Sequence, residues 1–515
     1  MSSKTITILI AFIAYMLLMI LIGALCSKNN NNEDYFLGGR GLGSWTAALS
    51  AQASDMSGWL LMGLPGAIYA AGTGEVWIAI GLLIGTVLNW FIVARRLRKY
   101  TIVANNSLTI PSFFENRFHD GSGILKIVSS CIIIVFFAVY TASAFSSGAK
   151  LFANVFGTGS SDTKMYLIGL IIAATVILIY TFLGGFKAVC YTDFIQGMLM
   201  LVAILAVPIL AYMGVTNDFG TLTNALSERG IADPAGYLSF MKDAEGNPIS
   251  FVSIISNLGW ALGYFGMPHI LVRFMAIKSD KEVKKSRIIA IVWVIISLTA
   301  ASLLGLIARG YLPEVLEDSE NVFIKTILSI FDGNFILIFI GGIFLCGILA
   351  AIMSTADSQL LVTASAVSED MYKGVIKKEA SEKKALMVGK VAVVAVAVVA
   401  FLIALDPNSS IMSLVSDAWA GFGAAFGPII LLSLFWKRFN LAGAVSGMAV
   451  GAVTVIIWDY LPIINGDTIG NTTGLYSLVI GFALALIVAV IVTLCTKKPS
   501  QRICDEFEKA KTIDI

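Results

Sequence analysis

Asp55 and the small residues beside it lie in the middle of an apolar stretch, residues 45–71. Placing a carboxylate at that depth in a membrane costs roughly 2.5 to 3.5 kcal/mol. Ser57 and Gly58 follow it and disfavour a continuous lipid-facing helix. Irregular backbone at membrane depth is tolerated only where protein buries it or where it lines a wet cavity. The pattern therefore predicts a broken helix that presents carbonyl oxygens and an acid, which together could bind a cation.

A second apolar segment, residues 251–276, is interrupted by Gly263 and Pro268, with Trp260 and Tyr264 alongside. Proline and glycine placed so closely predict another discontinuous helix. Four predicted spans separate the two breaks. Interrupted helices at corresponding places in two halves of a chain indicate inverted repeats with a binding site at the membrane midplane.

Ser354, Thr355, Asp357 and Ser358 lie together inside the apolar residues 323–365. Hydroxyls in membrane helices commonly bond to carbonyls one turn earlier. Beside a broken helix they become candidate cation ligands, because Na⁺ is a hard ion that prefers oxygen donors. Asp357 either adds a carboxylate to such a site or pairs with a buried Arg or Lys.

Three further polar residues each have alternative interpretations. Asp193 could cap its helix, pair with Lys187 or lie on the exit route of a cation. The hydroxyl of Tyr140 needs a partner when buried, either in a substrate pocket or in the core. Arg40 is either a gate or a charge that sets orientation.

The elements that must position these residues are membrane spans. The chain has 515 residues, of which 57% are hydrophobic and 13% charged, whereas soluble domains carry about 25% charged residues. About 20 apolar residues span a bilayer, which predicts one all-α polytopic membrane domain. About thirteen spans are expected, at residues 5–26, 45–72, 75–94, 124–150, 164–183, 190–214, 251–276, 286–309, 323–365, 386–405, 409–435, 440–462 and 472–496.

Charge predicts orientation and disfavours other functions. Most of the 35 Lys and Arg residues fall in alternate loops and the tail, which predicts an outside N-terminus and a cytoplasmic C-terminus. The longest outer segment, residues 217–248, is a lid or a passive connector. Six cysteines and two histidines show no metal spacing. Phosphate-loop and serine-hydrolase motifs are absent from the sequence, so neither an ATP-driven pump nor an enzyme is expected. A net charge of +2 gives no sign of nucleic-acid binding.

Four segments resemble the sodium:solute symporter family, namely residues 35–40, 50–66, 260–274 and 350–361. The resemblance extends from the first helix to about residue 460. It implies a LeuT-like five-plus-five inverted repeat, which agrees with the two breaks. The expected units are an extra helix at 5–26, repeats at 45–214 and 251–435, two C-terminal helices at 440–496 and a cytoplasmic tail at 497–515.

The resemblance also implies which residues bind. A sodium site would use the carbonyls of Ala53, Met56 and Ala351 and the hydroxyls of Ser354 and Thr355, with Asp55 supporting the site or binding the ion. Substrate-binding positions would be Ser57, Gly58, Tyr140, Trp260, Tyr264 and Pro268. The ion path or gate would involve Asp193, Asp357, Ser358 and Arg40. Some relatives with a second sodium site carry serine at position 357, which leaves the number of ions per cycle open.

The activity that the resemblance implies is uptake of L-proline with Na⁺ as the co-transported ion, by alternating access, across the plasma membrane of a bacterium. The chemistry fits, because half-helix N-termini can hold a carboxylate and aromatic rings can cover the pyrrolidine ring and its ammonium. Alternatives are the same mechanism with another amino acid, a sugar or pantothenate, a proton-driven symporter, and a transporter-like sensor. The oligomeric state is left open.

Overall fold

The computed structural model describes residues 2–26, 32–159, 162–183, 185–464 and 466–513. The regular secondary structure in these ranges is helical, apart from three isolated β-bridges, and turns and loops connect the helices. The helices of the first half are α1 (Ser3–Cys26), α2 (Asn32–Leu37), α3 (Ser44–Asp55), α4 (Leu64–Ala71), α5 (Val76–Leu88), α6 (Ala94–Val103), α7 (Ile110–Phe118), α8 (Ile124–Phe156), α9 (Thr163–Leu183), α10 (Phe186–Phe219), α11 (Leu222–Glu228) and α12 (Pro234–Tyr237). Those of the second half are α13 (Phe251–Gly259), α14 (Pro268–Ala276), α15 (Asp280–Tyr311), α16 (Val322–Ile330), α17 (Phe335–Ser365), α18 (Glu382–Ile403), α19 (Ile411–Phe435), α20 (Leu441–Tyr460), α21 (Ile469–Thr473), α22 (Ser477–Cys495) and α23 (Gln501–Thr512).

Eleven helices within these ranges are long and apolar enough to cross a membrane. The two other predicted spans are the interrupted segments, which contain the shorter apolar helices Trp59–Ala71 and Phe251–Phe265. The predicted all-α membrane architecture is therefore confirmed, and both predicted breaks are present.

The predicted span 323–365 is wrong as a single element. α16 ends at Ile330, and Gly333 in the following turn has a φ of +154°. The Asn334 side chain then caps α17 by accepting a 3.0 Å hydrogen bond from the Leu337 amide. The break was missed because a turn of a few residues barely changes hydrophobicity averaged over a window of about 20 residues. Beyond residue 365 the same helix continues as a π-helical segment, Ala366–Ile376.

The first broken helix turns at Met56, whose φ and ψ are −87° and 80°. A π-helical turn over Trp59–Gly63 leads into α4. Gly58 permits the close approach of this bend to α8, because a Cβ atom there would lie 2.3 Å from the Ser147 hydroxyl oxygen. The bend therefore packs closely against α8, and position 58 has no room for a side chain larger than hydrogen.

The second broken helix turns between α13 and α14. A 3₁₀ segment, Trp260–Phe265, is followed by Met267 in an extended conformation. Pro268 then begins α14, where its missing amide hydrogen costs nothing. The Trp419 indole of α19 donates a 2.8 Å hydrogen bond to the Trp260 carbonyl, which ties the start of this 3₁₀ segment to α19.

The first broken helix lies at the centre of the bundle. α3 packs against α10, α14, α15 and α17, so its end is surrounded by protein rather than lipid. α1 covers α10 and α17 from outside, while α20 and α22 pair with each other and with α19. This arrangement buries polar residues near both breaks.

Candidate functional site

The predicted cation ligands of α3 and α17 meet at the first break. Ser354 Oγ donates hydrogen bonds to the carbonyl of Ala53 at 2.7 Å and to that of Ala350 at 2.8 Å. Thr355 Oγ1 lies 3.4 Å from the Ala53 oxygen, and Ser354 Oγ lies 3.3 Å from the Ala351 oxygen. The predicted bond to a carbonyl one turn earlier is therefore present, and Ser354 also reaches across to α3. The cluster supplies uncharged oxygen donors suited to a hard monovalent cation.

Asp55 directs its carboxylate toward the other break. Its Oδ2 accepts a 2.7 Å hydrogen bond from Tyr264, while Oδ1 has no hydrogen-bond partner among the described residues. The Asp55 carbonyl accepts from the Tyr140 hydroxyl at 3.2 Å and from the Trp59 indole at 2.9 Å. The hydrogen bonds of this carboxylate thus go to Tyr264 rather than to Ser354, and Oδ1 can accept a further donor.

Met56 and Ser57 form the turn itself. The Ser57 amide donates to the Asp55 carbonyl at 3.1 Å. The Met56 sulfur accepts a 3.6 Å contact from the Ser297 hydroxyl of α15. These contacts fix the irregular backbone that carries the first break.

Aromatic rings extend from Asp55 toward one end of the bundle. Tyr264 makes an edge contact with Trp419 at 4.9 Å, and Trp260 stacks on Tyr476 at 5.4 Å between ring centroids. Trp260 and Tyr476 also line a cavity of about 480 Å³ whose walls include Asp417. A polar cavity therefore reaches the second broken helix.

Asp193 belongs to a buried ionic network. Its Oδ2 accepts hydrogen bonds from Ser50 at 2.7 Å, Ser54 at 3.1 Å and Arg273 at 3.2 Å. The predicted pairing with Lys187 is wrong, since the partner is Arg273. Capping is also wrong, because α10 begins at Phe186 and Asp193 lies in its second turn.

Ser358 connects this network to Ser354. Its hydroxyl contacts Arg273 at 2.5 Å, Ser54 at 3.0 Å and the Ser354 carbonyl at 2.8 Å. It also lies 3.4 Å from Asp357 Oδ1, and Asp357 is completely buried. Asp193, Asp357 and Ser358 thus belong to one continuous polar network with Ser354, whereas Arg40 lies outside it.

Arg273 is one functional candidate that sequence reasoning missed. It is buried and contacts Ser358, Asp193, Ser50 and the His269 carbonyl. A lone arginine inside an apolar segment was the available signal, since a buried charge in a membrane span requires a partner.

Arg40 joins elements at one end of the bundle. Its guanidinium donates to Asn106 at 2.9 Å, to the Ser107 carbonyl at 2.8 Å and to the Met275 carbonyl at 2.8 Å. Leu42, two residues later, forms an isolated parallel β-bridge with Ile277. These contacts tie the loop after α6 to the end of α14, as a closed gate would.

A second set of contacts, around Glu320, lies at the end of the bundle opposite to Arg40. Glu320 is buried and accepts a 2.7 Å hydrogen bond from Lys150 of α8. It also accepts from the amides of Ile411 at 3.0 Å and Met412 at 2.9 Å, which begin α19. Sequence reasoning missed this role, because the acidic residues between α15 and α16 give no sign of which helix they cap.

The long segment of residues 217–248 reaches the end of α4. The hydroxyl of Tyr237 donates to the carbonyls of Ile68 and Tyr69, each at 3.0 Å. Gly72 permits this contact, since a Cβ there would lie 2.7 Å from the Tyr237 carbonyl oxygen. The segment therefore closes one end of the first broken helix.

Comparisons with known proteins agree with this geometry. A model of the sodium:solute symporter family matches residues 35–451. The chain is 45% identical over 501 residues to the osmoregulated proline transporter OpuE of Bacillus subtilis, with 96% of each chain covered. It is 43% identical over 515 residues to a sodium/proline symporter of Staphylococcus aureus, with 98% of this chain and 96% of that one covered.

Solved structures share the fold. A Na⁺-coupled sialic acid symporter in a substrate-bound outward-open state superimposes with a TM-score of 0.74 at 19% identity, over 96% of this chain and 98% of that one. The nucleobase-cation-symport-1 family transporter MHP1 gives a TM-score of 0.53 at 14% identity, over 93% and 99%. The predicted LeuT-like architecture is confirmed. The family match spans most of the chain and near-full-length relatives exceed 40% identity, so this chain belongs to the sodium:solute symporter family.

Proposed function

We propose that this protein carries L-proline into the cell together with Na⁺. The observation that carries the proposal is the meeting of the two breaks: Tyr264 binds Asp55 at 2.7 Å, directly beside the Ala53–Ser354 contact of 2.7 Å. Two relatives that span nearly the whole chain are named as proline transporters, which favours proline among the cargoes of this family. The chain is thus a transporter rather than an enzyme.

Sodium binds in this proposal between α3 and α17. The carbonyls of Ala53, Met56 and Ala351 and the hydroxyls of Ser354 and Thr355 surround the ion. The contacts of Ser354 support this, because its Oγ lies 2.7 Å from the Ala53 oxygen and 3.3 Å from the Ala351 oxygen, and Thr355 Oγ1 lies 3.4 Å from the Ala53 oxygen. Asp55 directly precedes Met56 in the chain, and its negative charge stabilises the bound ion.

Proline binds beside Asp55. Its secondary ammonium has two donors, and Asp55 Oδ1 is a buried acceptor that lacks a hydrogen-bond partner among the described residues. The substrate carboxylate then faces the positive ends of the half-helices that begin after Ser57 and at Pro268. Tyr140, Trp260 and Tyr264 and the small Gly58 shape the remaining surface around the ring.

Coupling follows from the shared helix. An ion that joins Ala53 to Ser354 fixes the end of α3, and the same end presents Asp55 to proline. Each ligand should therefore raise the affinity of the other by the same factor. The Arg40 contacts at one end and the Lys150–Glu320 contacts at the other are the two gates that open alternately.

We assign one sodium ion to each transport cycle. Arg273 supplies a positive charge to Asp193 at 3.2 Å, so the protein itself already places one cation in this part of the network. One charge crossing about 100 mV releases about 2.3 kcal/mol, and a tenfold Na⁺ gradient adds about 1.4 kcal/mol. Together, roughly 3.7 kcal/mol could sustain a several-hundred-fold accumulation of proline.

The topology completes the proposal. The eleven continuous spans and two broken ones make thirteen crossings, with the N-terminus outside and the C-terminus in the cytoplasm of a bacterial cell. The repeats occupy residues 45–214 and 251–435, with residues 5–26 and 440–496 outside the core and residues 497–515 as a tail. The distribution of Lys and Arg favours this orientation.

Equilibrium binding tests the assignment without transport. Labelled L-proline bound to purified protein should be held at least tenfold more tightly in Na⁺ than in K⁺. Unlabelled proline should displace it, whereas alanine, glucose and pantothenate should not. If one of those solutes displaced the label at a lower concentration than proline does, the proposed sodium site would stand and that solute would replace proline as the proposed substrate. Equal binding in both salts would refute the coupling.

A further inference from the structure

A cavity outside the transport site lies where α8, α20, α22 and α23 meet. Its volume is about 830 Å³. Leu441, Val445 and Ala449 line one side of it and Ile124 lines another. The three positions on α20 recur at helical spacing, so they form one apolar strip. Ile124 is 41% exposed, which leaves this apolar surface open to the surroundings.

The end of the cavity is positively charged. Lys497 and Lys498 follow directly after α22, line the cavity and are exposed. Among the described residues, neither lysine has a carboxylate within ion-pairing distance. Two acids of the following helix, α23, pair with other residues, since Glu506 bonds to His119 at 2.7 Å and Glu508 pairs with Lys437 at 3.3 Å. The two positive charges are therefore available to a ligand.

Hydrogen bonds within the protein hold the lysine end of the cavity in place. Arg438 donates a 2.9 Å hydrogen bond to the Leu494 carbonyl, and Asn440 donates one of 2.9 Å to the Lys497 carbonyl. These bonds hold the end of α22 and fix the backbone at Lys497. The cavity is thus a formed groove with an apolar strip and a fixed cationic end.

We propose that this groove binds an anionic phospholipid, with its acyl chain along Val445 and Ala449 and its phosphate at Lys497 and Lys498. The medium that surrounds membrane-spanning helices such as α20 and α22 is lipid, and basic pockets between such helices at the cytoplasmic surface suit acidic headgroups. The proposal rests on the proposed topology only in placing the groove at the inner leaflet. It does not depend on the identity of the transported solute.

Native mass spectrometry of the detergent-purified protein tests the groove directly. The probes are dioleoyl phosphatidylglycerol and, at equal concentration, dioleoyl phosphatidylcholine. Phosphatidylglycerol should bind at least tenfold more tightly than phosphatidylcholine. Each lysine near an anionic lipid contributes about 1 kcal/mol, so the double variant K497Q/K498Q should weaken phosphatidylglycerol binding about 30-fold.

Two further variants separate the groove from nonspecific charge. K383Q/K384Q removes an exposed lysine pair at the start of α18, outside the groove, and should leave lipid binding unchanged. Ala449→Trp fills the apolar strip and should reduce phosphatidylglycerol binding with both groove lysines present. Sodium-dependent proline binding, measured on each variant, checks that the fold and the transport site are intact.

The proposal would be overturned by equal binding of the two lipids, or by equal losses in K497Q/K498Q and K383Q/K384Q. Displacement of the lipid by millimolar soluble glycerol phosphate would also overturn it, because the cavity would then hold only the headgroup. If proline binding is absent while phosphatidylglycerol binding behaves as expected, the proposed transport function fails and the lipid site stands.

Discussion

The hydroxyl of Tyr264 donates a 2.7 Å hydrogen bond to the carboxylate of Asp55, and both side chains are buried. Asp55 ends the first half of one broken helix, and Tyr264 lies in the 3₁₀ turn of the other. The bond therefore joins the two discontinuities at the centre of the bundle. Proline binding beside Asp55 would act on both repeats at once.

Tyr264→Phe should weaken proline binding strongly. The substitution keeps the ring but leaves a buried carboxylate oxygen without its donor, which costs about 1–3 kcal/mol. We expect the proline KM for uptake to rise about 5- to 150-fold. Tyr166→Phe is the control, because the buried Tyr166 hydroxyl donates a 2.9 Å hydrogen bond to the Ala404 carbonyl, outside the proposed site. A Tyr264→Phe protein with the KM of the unmodified protein would refute the role of this bond.

Ser354→Ala should change the sodium dependence of uptake. It removes one proposed ligand and the 2.7 Å link to Ala53. We expect the Na⁺ concentration for half-maximal uptake to rise about tenfold, corresponding to about 1.4 kcal/mol. Thr363→Val is a matched control, because the Thr363 hydroxyl bonds the Gln359 carbonyl one turn earlier in the same helix. Equal shifts in both variants would indicate a general effect on α17.

Arg273→Ala should destabilise the protein more than it alters any single ligand contact. Removing one member of a buried ion pair leaves the other uncompensated, at a cost of about 3–5 kcal/mol. The midpoint of thermal unfolding in detergent should fall, and adding Asp193→Asn to the same protein should restore part of the loss. If Asp193→Asn lowers the stability of the Arg273→Ala protein by as much as it lowers that of the unmodified protein, the two residues are not coupled.

Glu320→Gln should loosen the clamp between α8 and α19. It removes the charge that pairs with Lys150 and weakens the cap on the first amides of α19. A cysteine introduced at Ser416, which lines the cavity at Trp260, should then react several-fold faster with a membrane-impermeant maleimide in intact cells. Asp233→Asn breaks an exposed ion pair of 3.5 Å and should leave the rate unchanged. Unchanged labelling in Glu320→Gln would show that this contact does not control access.

Sequence patterns predicted both breaks because the signals are local. Asp55 and Gly58 interrupt one apolar run, and Gly263 and Pro268 interrupt another. The position of Ala53 opposite Ser354 was an implication of family resemblance, and the contact is present at 2.7 Å.

The remaining parts of the site depend on contacts that no local pattern encodes. Arg273 meets Asp193 from a helix 80 residues away, and Glu320 caps a helix 91 residues later. Hydrophobic periodicity identifies spans but not which helix faces which. The Asp332–Asn334 turn was missed for a different reason, since it is too short to change an apolar window.

Uptake of labelled L-proline into proteoliposomes of the purified protein tests the central claim most directly. An inward Na⁺ gradient should drive accumulation, an equal K⁺ gradient should not, and Asp55→Ala should abolish the Na⁺-driven uptake. Proline uptake at equal rates in the two gradients would contradict the proposed coupling. Full Na⁺-driven uptake by Asp55→Ala would contradict the proposed site.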